Sequence, residues 1–185
     1  MKKFSLVLLT TALLSAAALA DNHEARLEAA RNAAKKLQGT LVVELQTAMK
    51  EGGPTNAIQV CNTKAPAIAK EISSAGNLRI GRTSLKLRNE MNAPDAWEKK
   101  ALESFEARKA KGEEAAKLEQ HEVVGGEFRY MKAIAIPPDM PCLKCHGTEL
   151  DPAVQAKLKE LYPNDKATGY QTGQLRGAIT VRQKM

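Results

Sequence analysis

The stretch Cys142-Leu143-Lys144-Cys145-His146 constrains this 185-residue chain more than any other. Two thiols separated by two residues, with an imidazole directly after them, are the arrangement that fixes a porphyrin covalently. Each thiol adds to one vinyl group of the same macrocycle, so both must come from one short loop. The next side chain must then be an imidazole whose nitrogen reaches the iron from the same side. Two other readings of such a stretch exist. A C-x-x-C redox pair opens a helix in a βαβ setting, and a zinc site needs further Cys or His nearby. The surrounding sequence offers neither context, so Cys142, Cys145 and His146 are assigned to one covalent haem c.

Covalent haem of this kind is assembled outside the bacterial cytoplasm, and the start of the chain agrees with that compartment. Met1-Lys2-Lys3 is a basic segment, Leu6 to Leu19 is apolar, and Ala18-Leu19-Ala20 is a small-x-small cleavage pattern. The apolar run is shorter than the roughly 20 residues that span a bilayer. No Cys follows it that could carry a lipid. The expectation is a signal peptide over residues 1–20 and a single exported, periplasmic domain over 21–185, starting at Asp21 and carrying no membrane span.

Those 165 residues suffice for one hydrophobic core. Loss of Lys2 and Lys3 lowers the formal charge from +7 to +5, and the excess is spread along the chain. That favours solubility, or steering toward an acidic redox partner, over nucleic-acid binding. Cys61 is the third cysteine, and with Cys142 and Cys145 committed it has no disulfide partner.

Leu27, Ala30, Ala34, Leu37, Leu41, Leu45 and Met49 recur at helical spacing and give a long N-terminal helix with one apolar stripe. Gly52-Gly53 ends it, and Pro54 opens a second helix with Ile58, Cys61, Ala65, Ile68 and Ile72 on one face. Pro66 is expected to bend or restart that helix. Leu78 to Leu87 alternates and reads as extended, and Asn92 to Asp95 starts a helix over Ala96 to Lys111 with Trp97, Ala101, Leu102 and Phe105 inward. Gly125-Gly126 joins a hairpin of Lys117–Val124 and Glu127–Ile136. Asp151-Pro152 caps a short helix to Leu161, and Gln174 to Val181 reads as a last strand. The loose glycine series Gly169, Gly173, Gly177 lacks the spacing of a phosphate loop. Four-helix-bundle haem proteins also carry the motif late in the chain, but the hairpin and final strand favour α+β, an antiparallel sheet flanked by helices.

The second axial position has several candidates: Cys61, His23, His121, Met49, Met91, Met131 and Met140. His23 stands at a helix start, and His121 lies in the charged segment Glu119-Gln-His-Glu122. Met140 is too close to Cys142 to reach the opposite face easily, and the remaining Met residues serve packing as readily as ligation. Cys61 is unpaired on an apolar helical face with Lys64 one turn on, where an inert buried thiol is the alternative.

A set of separated motifs then points to a family. These are Val60-Cys61-Asn62 with Ala65-Pro66-Ala67-Ile68-Ala69, then Gly81-Arg82-Thr83-Ser84, Arg88-Asn89 and Asn92-Ala-Pro-Asp-Ala-Trp97-Glu98. After the haem motif come Tyr162-Pro-Asn-Asp165-Lys-Ala167-Thr-Gly169-Tyr170 and Gly173-Gln-Leu-Arg-Gly-Ala178. In this order, from about Leu41 to Val181, the chain resembles a family of single-haem c-type proteins with a PAS-like fold. Its members occur as exported proteins and as sensory ectodomains. The resemblance implies a PAS-like antiparallel sheet with flanking helices, haem bonded to Cys142 and Cys145, and His146 and Cys61 as axial ligands. A thiolate ligand favours the ferric state and lowers the potential relative to His/Met ligation.

Arg82, Arg88 and Arg176 are candidates for pairing haem propionates, because a guanidinium fork matches a carboxylate; ordinary surface arginines are the alternative. Asp165 and Asn89 read as turn or capping residues. No nucleophile–base pair or paired carboxylates stand out, so the expectation is a redox sensor or low-potential electron carrier that meets a redox or signalling partner protein. Two alternatives need a displaceable iron ligand: a haem enzyme, such as a peroxidase or small-oxide reductase, and a gas-binding sensor.

Overall fold

The computed structural model describes the backbone of residues 5–185, with side chains from residue 22 onward. The expected leader over residues 1–20 therefore lies outside the residues whose side chains are described. Helix α1 (Ser5–Gly76) is interrupted at Gly52 (φ −151°) and Gly53 (φ +68°, ψ −164°), the second a conformation that only glycine adopts at low cost. Pro54 restarts the helix with its φ already set. The helix then runs through Pro66 with no restart there. Ala65, Ile68 and Ile72 keep one buried face across it, and this packing outweighs the lost backbone bond. Asn77 (φ +47°) turns the chain into strand β1 (Arg79–Thr83), shorter than the Leu78–Leu87 segment expected.

Helix α2 (Ala96–Ala110) starts at Asp95, whose carboxylate accepts from the Glu98 amide while the Glu98 side chain accepts from the Asp95 amide. Strands β2 (Glu119–Val124) and β3 (Glu127–Ala135) form the hairpin around Gly125-Gly126, both at positive φ. One turn, α3 (Leu143–His146), carries the motif; α4 (Pro152–Leu161) follows Asp151, which accepts from the Ala153 amide. Strand β4 (Leu175–Lys184) completes an antiparallel sheet of order β1-β4-β3-β2. The fold is α+β, a four-stranded antiparallel sheet flanked by helices and led by a long N-terminal helix. Among the described residues, no helix is long and apolar enough to cross a membrane.

The sheet is covered on both faces. Phe128, Tyr130, Ile179, Val181 and Ile80 meet Leu27, Ala30, Ala34 and Leu37 of α1. On the opposite face Met131, Ala133, Ala178 and Leu175 meet Ala101, Leu102 and Phe105 of α2. Each such large side chain fully removed from water is worth about 1.5–3 kcal/mol, so the two layers carry the fold. The α2 layer also hides a charged knot that the sequence does not announce. Glu98 is 2% exposed. It accepts from Thr180 Oγ1 at 2.7 Å and Arg182 at 2.9 Å, while Arg129 pairs with Asp95 at 2.6 Å and lies over the Trp97 ring.

In β4 the pairing changes step. Ile134 faces Gly177 and Ala135 faces Leu175, so Arg176 is an extra, unpaired residue. Ser84 Oγ donates to the carbonyl of Arg176 at 2.7 Å and holds this bulge closed.

Candidate functional site

The site is assembled at the end of the sheet where this bulge lies. Turn α3 closes through His146 N donating to Cys142 O at 2.9 Å and Gly147 N donating to Leu143 O at 2.9 Å. A Cβ at Gly147 would stand 2.5 Å from Leu143 O, so only glycine allows so tight an exit. Cys145 packs with Ile58 of α1 and Val154, Leu158 and Tyr162 of the α4 region. Cys142 packs with Ile136, Ala167 and Tyr170. The two thiols are half-buried between two small apolar clusters, and all three cysteines are free. Burial pushes the Cys142 and Cys145 thiols up.

Residues 165–170 strap the turn in place. Tyr170 N donates to His146 O and Gly169 N to Gly147 O, both at 2.8 Å. His146 Nδ1 lies 2.7 Å from Ala167 O. A carbonyl oxygen only accepts, so Nδ1 carries the proton and Nε2 is left with a free lone pair. Burial lowers the affinity of His146 for a second proton well below the ordinary value, and Arg88, Arg176 and Arg82 add to the effect. The imidazole is thus oriented and neutral, as a metal ligand must be.

The three arginines converge on this site but differ in their commitments. Arg88 Nε donates to Asp165 at 3.1 Å, and its NH2 donates to Cys145 O at 2.5 Å and Ala167 O at 3.2 Å. Its guanidinium therefore ties the motif to the strap. Asp165 receives this pair at Oδ2 and also accepts from the Ala167 amide at Oδ1, so it is more than the turn residue that the sequence suggested. Arg176, aimed by the bulge, donates to Lys86 O at 3.2 Å and stands over the Tyr170 ring; burial and the neighbouring cations lower its pKa. Arg82 projects from the α1-facing row of β1, next after Ile80 on that side, and among the described residues it has no hydrogen-bond or ion-pair partner within reach.

Cys61 reaches the same place from the second arm of α1. Burial raises its pKa, and Arg82 and Arg88 oppose the rise. These are the cations that act on it; Lys64, suggested by sequence, pairs instead with Glu44 at 2.5 Å. Cys145 packs on Ile58, one helical turn before Cys61 on α1, so the fold brings this arm of the helix to the motif. The remaining candidates are elsewhere. Met91 is 89% exposed, Met131 is sealed in the α2 layer, and Met140 lies against Gln46 of α1. Met49 is half-buried on α1. His23 and His121 pack on each other and on Phe128 toward the hairpin end of the sheet. The carbonyl of Ala167 was not legible as a site group, because a backbone acceptor leaves no sequence signature, while Asp165 and Tyr170 stood in a quoted motif without the site role their side chains take.

With this geometry in view, the comparisons with known proteins are specific. The Tll0287-like family model (Tll0287) matches residues 10–183. The chain belongs to the Tll0287-like family. A solved structure described as that of the cyanobacterial heme-protein Tll0287 superposes with a TM-score of 0.65 at 27% identity, covering 83% of this chain and 91% of that one. No curated protein matches. The family match includes the arm of α1 with Cys61, the Cys142–His146 turn and the strap with Asp165, so all parts of the candidate site fall inside the matched region.

Proposed function

We propose that this chain is an exported c-type haem protein, a single domain over residues 21–185, that serves redox sensing or low-potential electron transfer in the periplasm. The observation that carries the reading is the His146–Ala167 hydrogen bond. It fixes the tautomer, directs Nε2 away from the strap, and sits one residue from a thiol at the spacing of a covalent attachment. Membership of a family that includes a heme-protein supports the cofactor.

The donor set fits haem c. Cys142 and Cys145 would supply the two thioethers, His146 a nitrogen ligand and Cys61 a sulfur ligand. Of Arg82, Arg88 and Arg176, Arg88 alone pairs with a carboxylate among the described residues, Asp165, so positive charge is left in excess at the site. A group carrying two carboxylates redresses that imbalance. Arg82 and Arg176 are the partners proposed for them, while Arg88 adds charge to the same field with its Nε and one terminal nitrogen already engaged. When bound, the iron supplies one-electron redox chemistry, and a thiolate ligand holds its potential low. The protein's own part is to exclude water with Ile58, Leu158 and Tyr162, orient the imidazole through Ala167, and favour the Cys61 thiolate through Arg82 and Arg88.

The test is the absorption and electron paramagnetic spectrum of the holoprotein beside Cys61→Ser. The wild type should be ferric low-spin with thiolate character, and the variant should lose that character while keeping covalent haem. Unchanged spectra would remove Cys61 from the iron, and haem extractable by acid solvent would remove the thioethers.

A further inference from the structure

Removal of residues 1–20, on which this inference rests, leaves Asp21-Asn22-His23 as the first three residues. Cleavage changes what they are chemically. Asp21 gains a free α-amine, and His23 becomes the third residue of the chain. An amine, two successive backbone amide nitrogens and an imidazole in that order close three fused chelate rings around one ion, with four nitrogens in a plane. Tetragonal nitrogen coordination is the preference of copper(II) and nickel(II), and copper(II) heads the divalent affinity series. We propose that the mature amino terminus is a copper(II)- or nickel(II)-binding site built from the Asp21 amine, the Asn22 and His23 amide nitrogens and the His23 imidazole, with His121 as a neighbouring donor.

The fold leaves these nitrogens free to serve. In the uncut helix α1 the amides of Asn22 and His23 point toward the carbonyls four residues earlier, at positions 18 and 19. Cleavage takes those acceptors away and makes both amides the orphan donors of a helix start. The first turn is also lightly held. Asn22, Glu24 and Ala25 are exposed, and its side-chain ties are Arg26 Nε donating to Asn22 Oδ1 at 2.6 Å, Glu24 facing Arg31 at 3.8 Å and the His23 ring on Phe128.

A second imidazole stands at the same spot. The ring of His121, exposed on β2, is centred 5.2 Å from that of His23. Among the described residues, no three His, Cys, Asp or Glu side chains form a metal-binding group, so side chains alone do not make this site. The backbone nitrogens complete it, and only in the processed chain. Binding releases both amide protons, together with one from the amine where it is protonated, so the two amidates balance the charge of the ion.

The site is separate from the haem motif. His121 pairs with Tyr130 of β3, six residues before Ile136, which packs on Cys142. Six residues of strand span about 20 Å.

The experiment uses the exported holoprotein. Intact mass first establishes that it begins at Asp21, and the c-type absorption bands report the haem independently. Copper(II) chloride or nickel(II) chloride is added in the presence of excess glycine, and native mass spectrometry reads the stoichiometry. Copper paramagnetic resonance reads the number of nitrogens. One ion per chain with four-nitrogen coupling is expected. One glycine inserted ahead of Asp21, or His23→Gln, should weaken binding about 100-fold or more, while His121→Phe should keep the four-nitrogen signal. Unchanged binding after the glycine insertion would overturn the proposal, as would loss of binding in His121→Phe, which would mean an ordinary pair of surface imidazoles. A first residue other than Asp21 overturns it too and leaves the haem reading standing. Absence of haem bands overturns the haem reading and leaves this one standing.

Discussion

Arg88→Met is the substitution that tests most directly how the site is held. Arg88 and Asp165 are 13% and 9% exposed, and the guanidinium also donates to the carbonyls of Cys145 and Ala167. Methionine fills most of the volume but leaves Asp165 charged without its cation. Removing one partner of a buried pair costs about 3–5 kcal/mol, and the slight exposure here argues for about 3. The Cys145 carbonyl also loses its donor, at about 1 kcal/mol, whereas Ala167 keeps His146 Nδ1. The total is about 4 kcal/mol, or a fall in Tm of about 10 °C for a domain of this size. Asp165→Asn should cost less, because the amide oxygen still accepts from Ala167 N. The double variant should recover about 2 kcal/mol of the summed single losses, a coupling within the range of directly paired residues. Urea unfolding of the four proteins followed by circular dichroism supplies the cycle, with an unchanged m-value as the control. A loss below about 1 kcal/mol for Arg88→Met, or strict additivity in the cycle, would refute the view that this pair clamps the motif to the strap.

Two further outcomes follow from the same packing. Gly177→Ala places a Cβ 2.3 Å from the Thr83 carbonyl at φ +154°, so β1 must move off β4; about 3 kcal/mol of stability should be lost, read as a shift of the urea midpoint, and a neutral effect would contradict the close approach. Burial works to raise the Asp95 carboxyl, but the Glu98 amide and the Arg129 and Arg182 guanidiniums outweigh it and hold the group below its ordinary 3.8. The folded carboxyl thus binds a proton less readily than the unfolded one. Its contribution is complete above pH 3.8 and is lost as the pH falls through the lower folded value. The stability gap between wild type and Asp95→Asn should therefore narrow between about pH 5 and pH 2 in urea titrations, and a constant gap would contradict the assignment.

What the sequence made legible is what is local. The glycine pair at 52–53, the Asp95 cap, the Gly125-Gly126 turn and the Asp151-Pro152 start each act within a few residues, and each appears where its chemistry requires. The Cys142–His146 spacing is local in the same sense, a pattern read within five residues. The rest depends on which distant residues meet. Arg88 and Asp165 are 77 positions apart. Lys64 looked like the cation of Cys61 because it lies one turn away, yet its ammonium swings to Glu44 while β1 brings Arg82 instead. Glu98 was masked by its charge: a carboxylate on a helix reads as solvent-facing until the arginines opposite it in the sheet are known. The continuity of the helix through Pro66 has the same origin, in packing that local propensity does not contain.

The extra residue in β4 has a consequence for how this strand can change over evolutionary time. Side chains alternate along a strand, so inserting one residue reverses the parity of everything beyond it. Before Arg176, the odd-numbered Leu175 belongs to the α2 layer; after it, the odd-numbered Ile179 and Val181 belong to the α1 layer. The strand is two phases joined at a single residue. Deleting Arg176 would leave Leu175 opposite Ala135 and Gly177 opposite Ile134 in one unbroken alternation, so both core rows would keep their faces and only the bulge with its arginine would go. The arginine that points at the site is therefore an addition to a sheet whose two cores would hold their register without it, and its reach toward the site can change while the cores stay as they are.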